Sequence, residues 1–315
     1  MIQAHSLTKR YGDKIAVDGL DFTVEPGRVT GFLGPNGAGK STTMRMITGL
    51  DRPSSGIATV NGRRYRDIAA PLHEVGVLLD ARSAHPRRTA VKHLLAIAAT
   101  HRIGRDRVEE VMGLTGLESV ANKRVGSFSL GMGQRLGIAS ALLGDPETII
   151  LDEPVNGLDP EGILWIRNLM RRLAAEGRTV LLSSHLMGEM AQTADHLIVL
   201  GRGAILADGP IEDVMRGVTR TAVRVRTREP ERLARAIAAP EVTVASLPDG
   251  AMEITGPSAE HVAEAAAAAG IVLTEVSTIA GSLEDAYLAL TEGAVEYRSS
   301  GAPTPAHTIQ NGARS

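Results

Sequence analysis

The sequence predicts an α/β protein with a largely parallel central sheet, followed by a smaller α+β domain. Two observations carry this prediction. From Val29 onward, short apolar runs typical of buried strands alternate with longer segments of helical periodicity, which indicates a parallel sheet with crossover helices. Near residue 218 the pattern changes to a β-α-β-β-α-β order, which predicts a separate ferredoxin-like domain. We therefore expect one domain over residues 1–217 and an accessory domain over 218–292.

The first domain begins with strands, because its short apolar runs are separated by Gly, Asp and Pro turn signals. These strands are predicted over residues 2–7, 14–17 and 20–24. Core strands are predicted over residues 29–33, 75–79, 148–151 and 179–183, and a terminal hairpin over 197–200 and 204–208. Helices are predicted over residues 41–50, 90–100, 105–115, 134–143, 162–175 and 187–194.

The accessory domain is predicted from its own alternation of strands and helices. Its strands are expected over residues 221–226, 242–246, 252–255 and 272–276, and its helices over 230–238 and 258–269, with a closing helix over 282–291. The Pro-Asp-Gly sequence at residues 248–250 favours a hairpin turn. Residues 293–315 are rich in Ser, Gly, Pro and Thr, which predicts a disordered tail.

Composition excludes several classes of function. The 315 residues carry a formal net charge of only −2, which gives no electrostatic footprint for nucleic acid. Cysteine is absent, so disulfides, iron–sulfur clusters and thiolate zinc sites are excluded. The N-terminus lacks the apolar core of a secretory signal, and no run approaches the ~18–20 apolar residues of a spanning helix. We expect a cytoplasmic chain that does not insert directly into a membrane.

A glycine-rich loop between a predicted strand and a predicted helix carries the first chemical signal. The residues of this loop and the helix start are Gly34, Pro35, Asn36, Gly37, Ala38, Gly39, Lys40, Ser41 and Thr42. They contain the complete G-x-x-x-x-G-K-[ST] pattern, in which backbone N–H groups and the positive helix end surround a phosphate. Lys40 is expected to reach the β and γ phosphates, and the Ser41 hydroxyl to hold Mg²⁺. The loop therefore predicts binding of ATP or another nucleoside triphosphate.

Two acidic residues at the end of a predicted core strand carry the second signal. Asp152 and Glu153 follow an apolar run over residues 148–151, and ligands of open α/β sheets bind at the carboxyl ends of strands. Asp152 is expected to hold Mg²⁺, directly or through water. Glu153 is placed to polarise the water that attacks the γ-phosphate. The plainer alternative is that these acids cap the following helix.

An ordered series of motifs resembles the nucleotide-binding subunit of an ATP-binding-cassette (ABC) transporter. Residues 128–135 read Phe-Ser-Leu-Gly-Met-Gly-Gln-Arg, which resembles that family's signature, usually Leu-Ser-Gly-Gly-Gln followed by x-Gln-Arg. Residues 156–159 resemble the loop that touches the partner subunit, and His185 matches the family's switch histidine. The resemblance covers about residues 1–215. It implies a P-loop NTPase ABC cassette with a mixed core sheet, an antiparallel β subdomain and a helical subdomain.

The resemblance also implies roles for individual residues. Ser129 and Gly131, at a helix start, would bind the γ-phosphate held by another subunit, so that two ATP molecules lie at a head-to-tail dimer interface. His185 would contact the γ-phosphate and orient water, Asp159 would communicate across the dimer, and Tyr11 would stack on adenine. Each role has a plainer alternative. The alternative for Ser129 is a helix N-cap, and the alternative for His185 is a core histidine. Asp159 could be a turn carboxylate, and the Tyr11 ring could pack on the sheet.

Two motifs depart from the family pattern. Asp80 stands where the strand 75–79 normally leads to a Gln that contacts Mg²⁺ and the attacking water. A carboxylate can still bind Mg²⁺, but it adds negative charge beside the γ-phosphate, so we expect slower or more tightly coupled hydrolysis. Leu130 replaces the first signature Gly, and Met132 replaces the Gln. We interpret the motif as an active variant of the signature.

The predicted function is that of the ATPase subunit of an export-type ABC transporter. The resemblance implies a second ATPase subunit, most simply a homodimer, on the inner face of the membrane. It also implies a separate permease that docks on residues 80–102, for which the plainer alternative is a solvated loop. The short cassette with an added C-terminal domain that ends in residues 282–290 resembles daunorubicin- or lantibiotic-resistance subunits. This resemblance suggests a drug- or peptide-like substrate. Two alternatives stay open: a non-transport ABC ATPase acting on ribosomes or DNA, and an importer ATPase with a regulatory C-terminal domain.

Overall fold

The computed structural model describes residues 1–218 and 222–279, together with 283, 284 and 287. In this part of the chain the strands are β1 Ile2–Tyr11, β2 Lys14–Val24, β3 Val29–Leu33, β4 Ser55–Val60, β5 Val75–Leu78, β6 Thr148–Leu151, β7 Thr179–Ser184, β8 His196–Gly201, β9 Ala204–Pro210, β10 Ala222–Thr227, β11 Thr243–Ser246, β12 Met252–Thr255 and β13 Leu273–Ile279. The α-helices are α1 Lys40–Ile47, α2 Pro71–Glu74, α3 Ala90–Thr100, α4 Arg105–Leu114, α5 Leu130–Leu142, α6 Pro160–Ala175, α7 Met187–Thr193, α8 Ile211–Val218, α9 Pro230–Ala236 and α10 Ala259–Ala268.

The N-terminal strands form an antiparallel three-stranded sheet in the order β2-β1-β4. The prediction of two separate strands over residues 14–17 and 20–24 was wrong, because β2 continues through Gly19 at φ 58°. Strand β4 was missed by the sequence reading. Its six residues are mostly exposed or half-buried, so they show neither an apolar run nor a clear alternation.

The core sheet has six strands in the order β5-β6-β7-β3-β8-β9. All neighbouring pairs are parallel except β8–β9, so the predicted mixed sheet is confirmed. Strands β3 and β6 flank β7, which brings the ends of three motif-bearing strands to one edge. The five residues of β3 are all buried, as a strand covered on both faces requires.

Helix α1 differs from its predicted extent of 41–50. It ends at Ile47, and Gly49 adopts the left-handed conformation at φ 70° that commonly terminates a helix. Met44 and Ile47 are buried, whereas Leu50, which lies beyond the end of the helix, is 60 % exposed. The signature helix α5 begins at Leu130, which confirms the helix start expected at the signature and joins it to the helix predicted over residues 134–143.

Helices α3, α4 and α5 form a helical layer that packs against the core sheet through fully buried Leu94 and Leu136. The layer is tied to α6 by Trp165, whose Nε1 donates to the Leu114 carbonyl at 3.1 Å. Arg135 of α5 stacks over the Trp165 ring at 4.4 Å. The signature helix is therefore held from two sides.

The accessory domain has the predicted β-α-β-β-α-β order. Its four antiparallel strands are arranged β11-β12-β10-β13, and they share a separate apolar core with α9 and α10. Beyond β13, Leu283 and Tyr287 are buried in the same cluster as Val214 of α8. The rest of the predicted closing helix, and the predicted disordered tail over 293–315, lie outside the described residues. No helix in the described part of the chain is long and apolar enough to cross a membrane.

Candidate active site

The site lies where β3, β6 and β7 end along the same edge of the core sheet. Register pairs place Leu33 beside Ser184, and Leu151 beside Leu182. The glycine-rich loop leaves β3, the two acids leave β6, and His185 follows β7. The topology therefore brings together residues that lie more than a hundred positions apart in the chain.

Lys40 closes the glycine-rich loop from inside. Its side chain is buried, and Nζ donates to the carbonyl oxygens of Gly34 at 2.6 Å and Pro35 at 3.3 Å. Burial lowers the pKa of Lys40 from its ordinary value of 10.5, and the nearby charges of Glu153 and Asp152 partly oppose that shift. An anionic ligand in the loop would restore the charge balance around this ammonium group.

Two loop glycines are required by close packing. Gly39 has φ 105° and is the N-terminal residue flanking α1, and a Cβ atom there would lie 2.8 Å from the Ala16 carbonyl oxygen. A Cβ at Gly34 would lie 2.6 Å from the Leu200 carbonyl oxygen. Asn36, Gly37 and Ser41 are exposed, so the outer part of the loop is open to a ligand.

The two acids after β6 are fixed by β7. The Ser183 hydroxyl donates to Asp152 Oδ1 and accepts from Glu153 N, the latter at 3.0 Å. The Glu153 carboxylate points the other way, because Oε2 lies 2.7 Å from His185 Nδ1. A carboxylate only accepts hydrogen bonds, so we assign the proton of this bond to Nδ1. The side chain of His185 is 50 % exposed, which argues against the core-histidine alternative.

The Glu153 backbone is held in an uncommon conformation. Its φ of 50° lies in the left-handed region, which is costly for a residue other than glycine. The Glu153 carbonyl oxygen accepts from Gln134 Nε2 at 3.1 Å and from Asn156 N at 3.2 Å. These bonds secure the turn that carries the carboxylate away from Asp152.

The residues expected to hold Mg²⁺ differ in their surroundings. Asp152 at the sheet edge and Ser41 at the start of α1 supply hard oxygen donors, which suits Mg²⁺ bound partly by substrate phosphates. Asp80 is exposed, and its Oδ1 accepts from Arg82 N at 2.8 Å. Among the described residues no group of three or more His, Cys, Asp or Glu side chains is arranged to hold a metal ion. The role of Asp80 therefore stays a prediction.

Tyr11 lies at the end of β1 and is 49 % exposed. Its hydroxyl donates to Asp51 Oδ2 at 2.9 Å, while Arg45 Nε donates to the same oxygen at 2.9 Å. The Lys9 ammonium lies 4.9 Å from the ring centroid. The carboxylate of Asp51 thus orients a half-exposed aromatic ring, which is compatible with stacking on a nucleotide base.

The signature and the loop after the acids meet within one subunit. Ser129 caps α5, since its Oγ accepts from Met132 N at 3.2 Å. Asp159 caps α6 by accepting from Gly162 N at 2.9 Å. Ser129 therefore has the N-cap role of its plainer alternative, whereas Asp159 caps a helix and is not a simple turn carboxylate; neither contact tests the functional roles. A Cβ at Gly131 would lie 2.8 Å from the Gly157 carbonyl oxygen, so the two segments are in direct contact.

The contacts of three residues at the site were not predicted from the sequence. Ser183 joins the two acids, Gln134 binds the Glu153 carbonyl, and Asp51 orients Tyr11. The position of Ser183 at the end of a predicted core strand was a usable signal. Nothing in the local sequence indicates the partners of Gln134 or Asp51, because both contacts depend on tertiary packing.

Comparisons with known proteins define the family. Residues 17–156 match the family model described as ABC transporter, and residues 221–284 match a domain of unknown function, DUF8746. The chain is 41 % identical over 217 residues to the bacitracin transport ATP-binding protein BcrA of Bacillus licheniformis, which covers 67 % of this chain and 70 % of that protein. It is 39 % identical over 215 residues to the Nod factor export ATP-binding protein I of Burkholderia pseudomallei (strain 1710b), covering 66 % and 70 %.

Solved structures of ABC transporter cassettes also match the chain. A structure described as the ATP binding subunit of an ABC transporter matches with a TM-score of 0.61 at 28 % identity, covering 69 % of this chain and 92 % of that one. The dimeric ABC transporter cassette MJ0796 matches with a TM-score of 0.62 at 26 % identity, covering 67 % and 99 %. The chain belongs to the family of ABC transporter ATP-binding subunits. It is an ATP-hydrolysing cassette, as the sequence predicted.

Proposed function

We propose that this chain is the ATPase subunit of an ABC exporter, which hydrolyses ATP at a head-to-tail dimer interface and drives a separate permease. The observation that carries the proposal is the carboxylate of Glu153 held 2.7 Å from the ring of His185, beside the loop closed by Lys40. Two relatives named for export or antibiotic transport, and a related cassette described as dimeric, support the direction and the assembly.

In this mechanism Lys40 exchanges loop carbonyl oxygens for the β and γ phosphates, and the exposed loop N–H groups bind the same anion. Glu153 accepts a proton from the attacking water and His185 orients the γ-phosphate. For the histidine to donate to phosphate while Nδ1–H still bonds Glu153, its Nε2 must also carry a proton. Otherwise the Glu153–His185 bond opens when nucleotide enters. Tyr11 is assigned to stacking on the adenine base of the nucleotide.

The fit of Mg²⁺ rests on the donor set of Asp152 and Ser41. When bound, the ion neutralises charge that develops on the phosphates. Ser183 holds Asp152 by a hydroxyl hydrogen bond and so fixes the direction of that carboxylate. Asp80 is assigned a contact to Mg²⁺ or to its water, although the Asp80 carboxylate also accepts a hydrogen bond within a local turn.

The composite site is tested by mixing two inactive subunits. Lys40→Met removes the loop ammonium, and Ser129→Arg blocks the phosphate-binding end of α5. If Ser129 of one subunit completes the site at Lys40 of the other, a mixed dimer keeps one intact site. Equal mixing should then restore about a quarter of the wild-type ATPase rate, because random pairing makes half of the dimers mixed.

Each variant alone, and a mixture of two Lys40→Met preparations, serve as matched controls. Restored phosphate release in the 1:1 mixture supports the head-to-tail arrangement. A mixture that stays inactive, although both variants fold and form dimers normally, contradicts it. A Ser129→Arg variant with normal activity by itself also contradicts it.

The export direction and the permease need a cellular test. We propose that the chain works on the cytoplasmic face of the membrane with a permease encoded near it, and that the cargo is a drug- or peptide-like compound. Cells that express both proteins should accumulate less of such a compound, bacitracin being the first to try, and Glu153→Gln should abolish the difference. Higher accumulation would indicate an importer instead. Co-purification with ribosomes or DNA rather than with the permease would indicate a non-transport ATPase.

A further inference from the structure

Two residues on one face of α5 contact the loop that follows the catalytic carboxylate. Leu130 and Gln134 are four residues apart, so they lie on the same side of the helix. Gln134 is 3 % exposed and donates to the Glu153 carbonyl oxygen at 3.1 Å. Leu130 covers Gly157, because a Cβ atom at Gly157 would overlap Cγ and Cδ2 of the leucine. Helix α5 therefore touches both ends of segment 153–157.

Between these contacts Pro154 is buried and Val155 packs against the main apolar cluster, and backbone hydrogen bonds shape the turn. Asn156 N donates to the Glu153 carbonyl at 3.2 Å, and Leu158 N donates to the Val155 carbonyl at 3.2 Å. Gly157 is exposed and has φ 76°, a conformation that costs glycine little and other residues more. Without a side chain of its own, Gly157 depends on Leu130 for an apolar contact.

We propose that Leu130 is a positioning residue that holds segment 153–157, and through it the turn that aims the Glu153 carboxylate. Leu130 stands at the position of the first glycine in the family's usual signature, and glycine cannot make this contact. Leu130 is 47 % exposed, so about half of its side chain contributes to packing within its own subunit. The functional part of this proposal rests on the role proposed above for Glu153.

Hydrogen–deuterium exchange on the full-length protein tests the contact directly. In Leu130→Ala, the amides of residues 155–158 should exchange about tenfold faster, because local opening becomes easier. The value of kcat should fall about three- to tenfold through misplacement of the carboxylate, whereas KM for ATP should change less than about twofold. Leu130→Met should restore both readouts. Leu164→Ala removes a leucine that is 51 % exposed on α6 and serves as the matched control.

A double-mutant cycle provides the second measurement. Gly157→Ala introduces both backbone strain and a clash with Cγ and Cδ2 of Leu130, whereas Gly157→Ala with Leu130→Ala keeps the strain and only the 3.0 Å approach to Cβ of residue 130. The double variant should therefore have a higher kcat than Gly157→Ala alone.

Unchanged exchange at residues 155–158 in Leu130→Ala overturns the proposal. Exchange that rises along the whole of α5, with no selective change at this segment, overturns it as well. Full activity of Glu153→Gln would rule out the catalytic role proposed for Glu153. The exchange experiment would still decide whether Leu130 holds the segment.

Discussion

Replacing Glu153 by Gln separates the chemistry of the site from its architecture. The variant keeps the size of the side chain but removes the proton acceptor. The hydrogen bonds that Glu153 contributes to the turn come from its backbone: its N–H donates to Ser183 and its carbonyl accepts from Gln134 and Asn156. The substitution should therefore leave the turn intact while it removes general-base catalysis.

The two effects differ in size. General-base catalysis contributes about 10²–10⁴-fold in rate, which corresponds to roughly 3–5 kcal/mol in the activation barrier. The lost pairing with His185 is small by comparison, because the two side chains are 50 % and 21 % exposed. A pair of this exposure contributes about 0–1 kcal/mol to the free energy of unfolding. That corresponds to a Tm shift of at most about 4 °C.

The assay is phosphate release at saturating Mg²⁺-ATP, with Tm measured on the same samples and ATP binding measured by equilibrium titration. We expect a loss of at least a hundredfold in kcat, a nearly unchanged Tm and unimpaired ATP binding. Glu161→Gln, an exposed acid in the first turn of α6, is a matched control and should keep full activity. Glu153→Gln with more than about a tenth of the wild-type rate would falsify the assignment of Glu153 as general base.

Three further predictions concern the nucleotide and its metal. Because burial lowers the pKa of Lys40, its contribution to stability rises with pH between that lowered pKa and the ordinary value of 10.5. The phosphates of bound ATP raise the pKa of Lys40 again, so ATP binding in this alkaline range should take up protons. Calorimetry in buffers of different ionisation enthalpy should detect this proton uptake, and Lys40→Arg should not show it. Asp80→Gln should raise kcat and change the Mg²⁺ dependence of hydrolysis, and unchanged values would make Asp80 a bystander. Tyr11→Ala should weaken ATP binding about fivefold or more by titration, whereas Tyr11→Trp should retain it, and equal losses in both would exclude stacking.

How far the sequence predicts this molecule depends on the range of the interactions. The glycine-rich loop and the acids after β6 are local patterns, because strand, turn and helix signals there all agree. The β-α-β-β-α-β order of elements in the accessory domain also follows from its local alternation. Strand β4 could not be found, since its six residues are stabilised by pairing with β1 rather than by their own pattern.

The fine structure of the site depends on contacts between distant segments. Ser183 lies 31 positions after Asp152, and Gln134 lies 19 positions before Glu153. No periodicity records such a contact, because a hydrogen bond leaves no constraint on the residues between its partners. The left-handed conformation of Glu153 is likewise opposed by its own local preference. Such a conformation is maintained only where surrounding contacts determine it, and α5 and β7 supply them here.

The open geometry of the single subunit explains why its site should be inefficient alone. His185 is half-exposed and the outer part of the loop at Asn36 and Gly37 is exposed, so water screens the charges that would act on the γ-phosphate. Electrostatic stabilisation of a transition state is much stronger when water is excluded. In the proposed dimer, α5 of the second subunit supplies that cover, and its capped N-terminus adds N–H groups. The same helix holds the turn at Glu153 in its own subunit, so closure at one site is mechanically connected to the acid of the other.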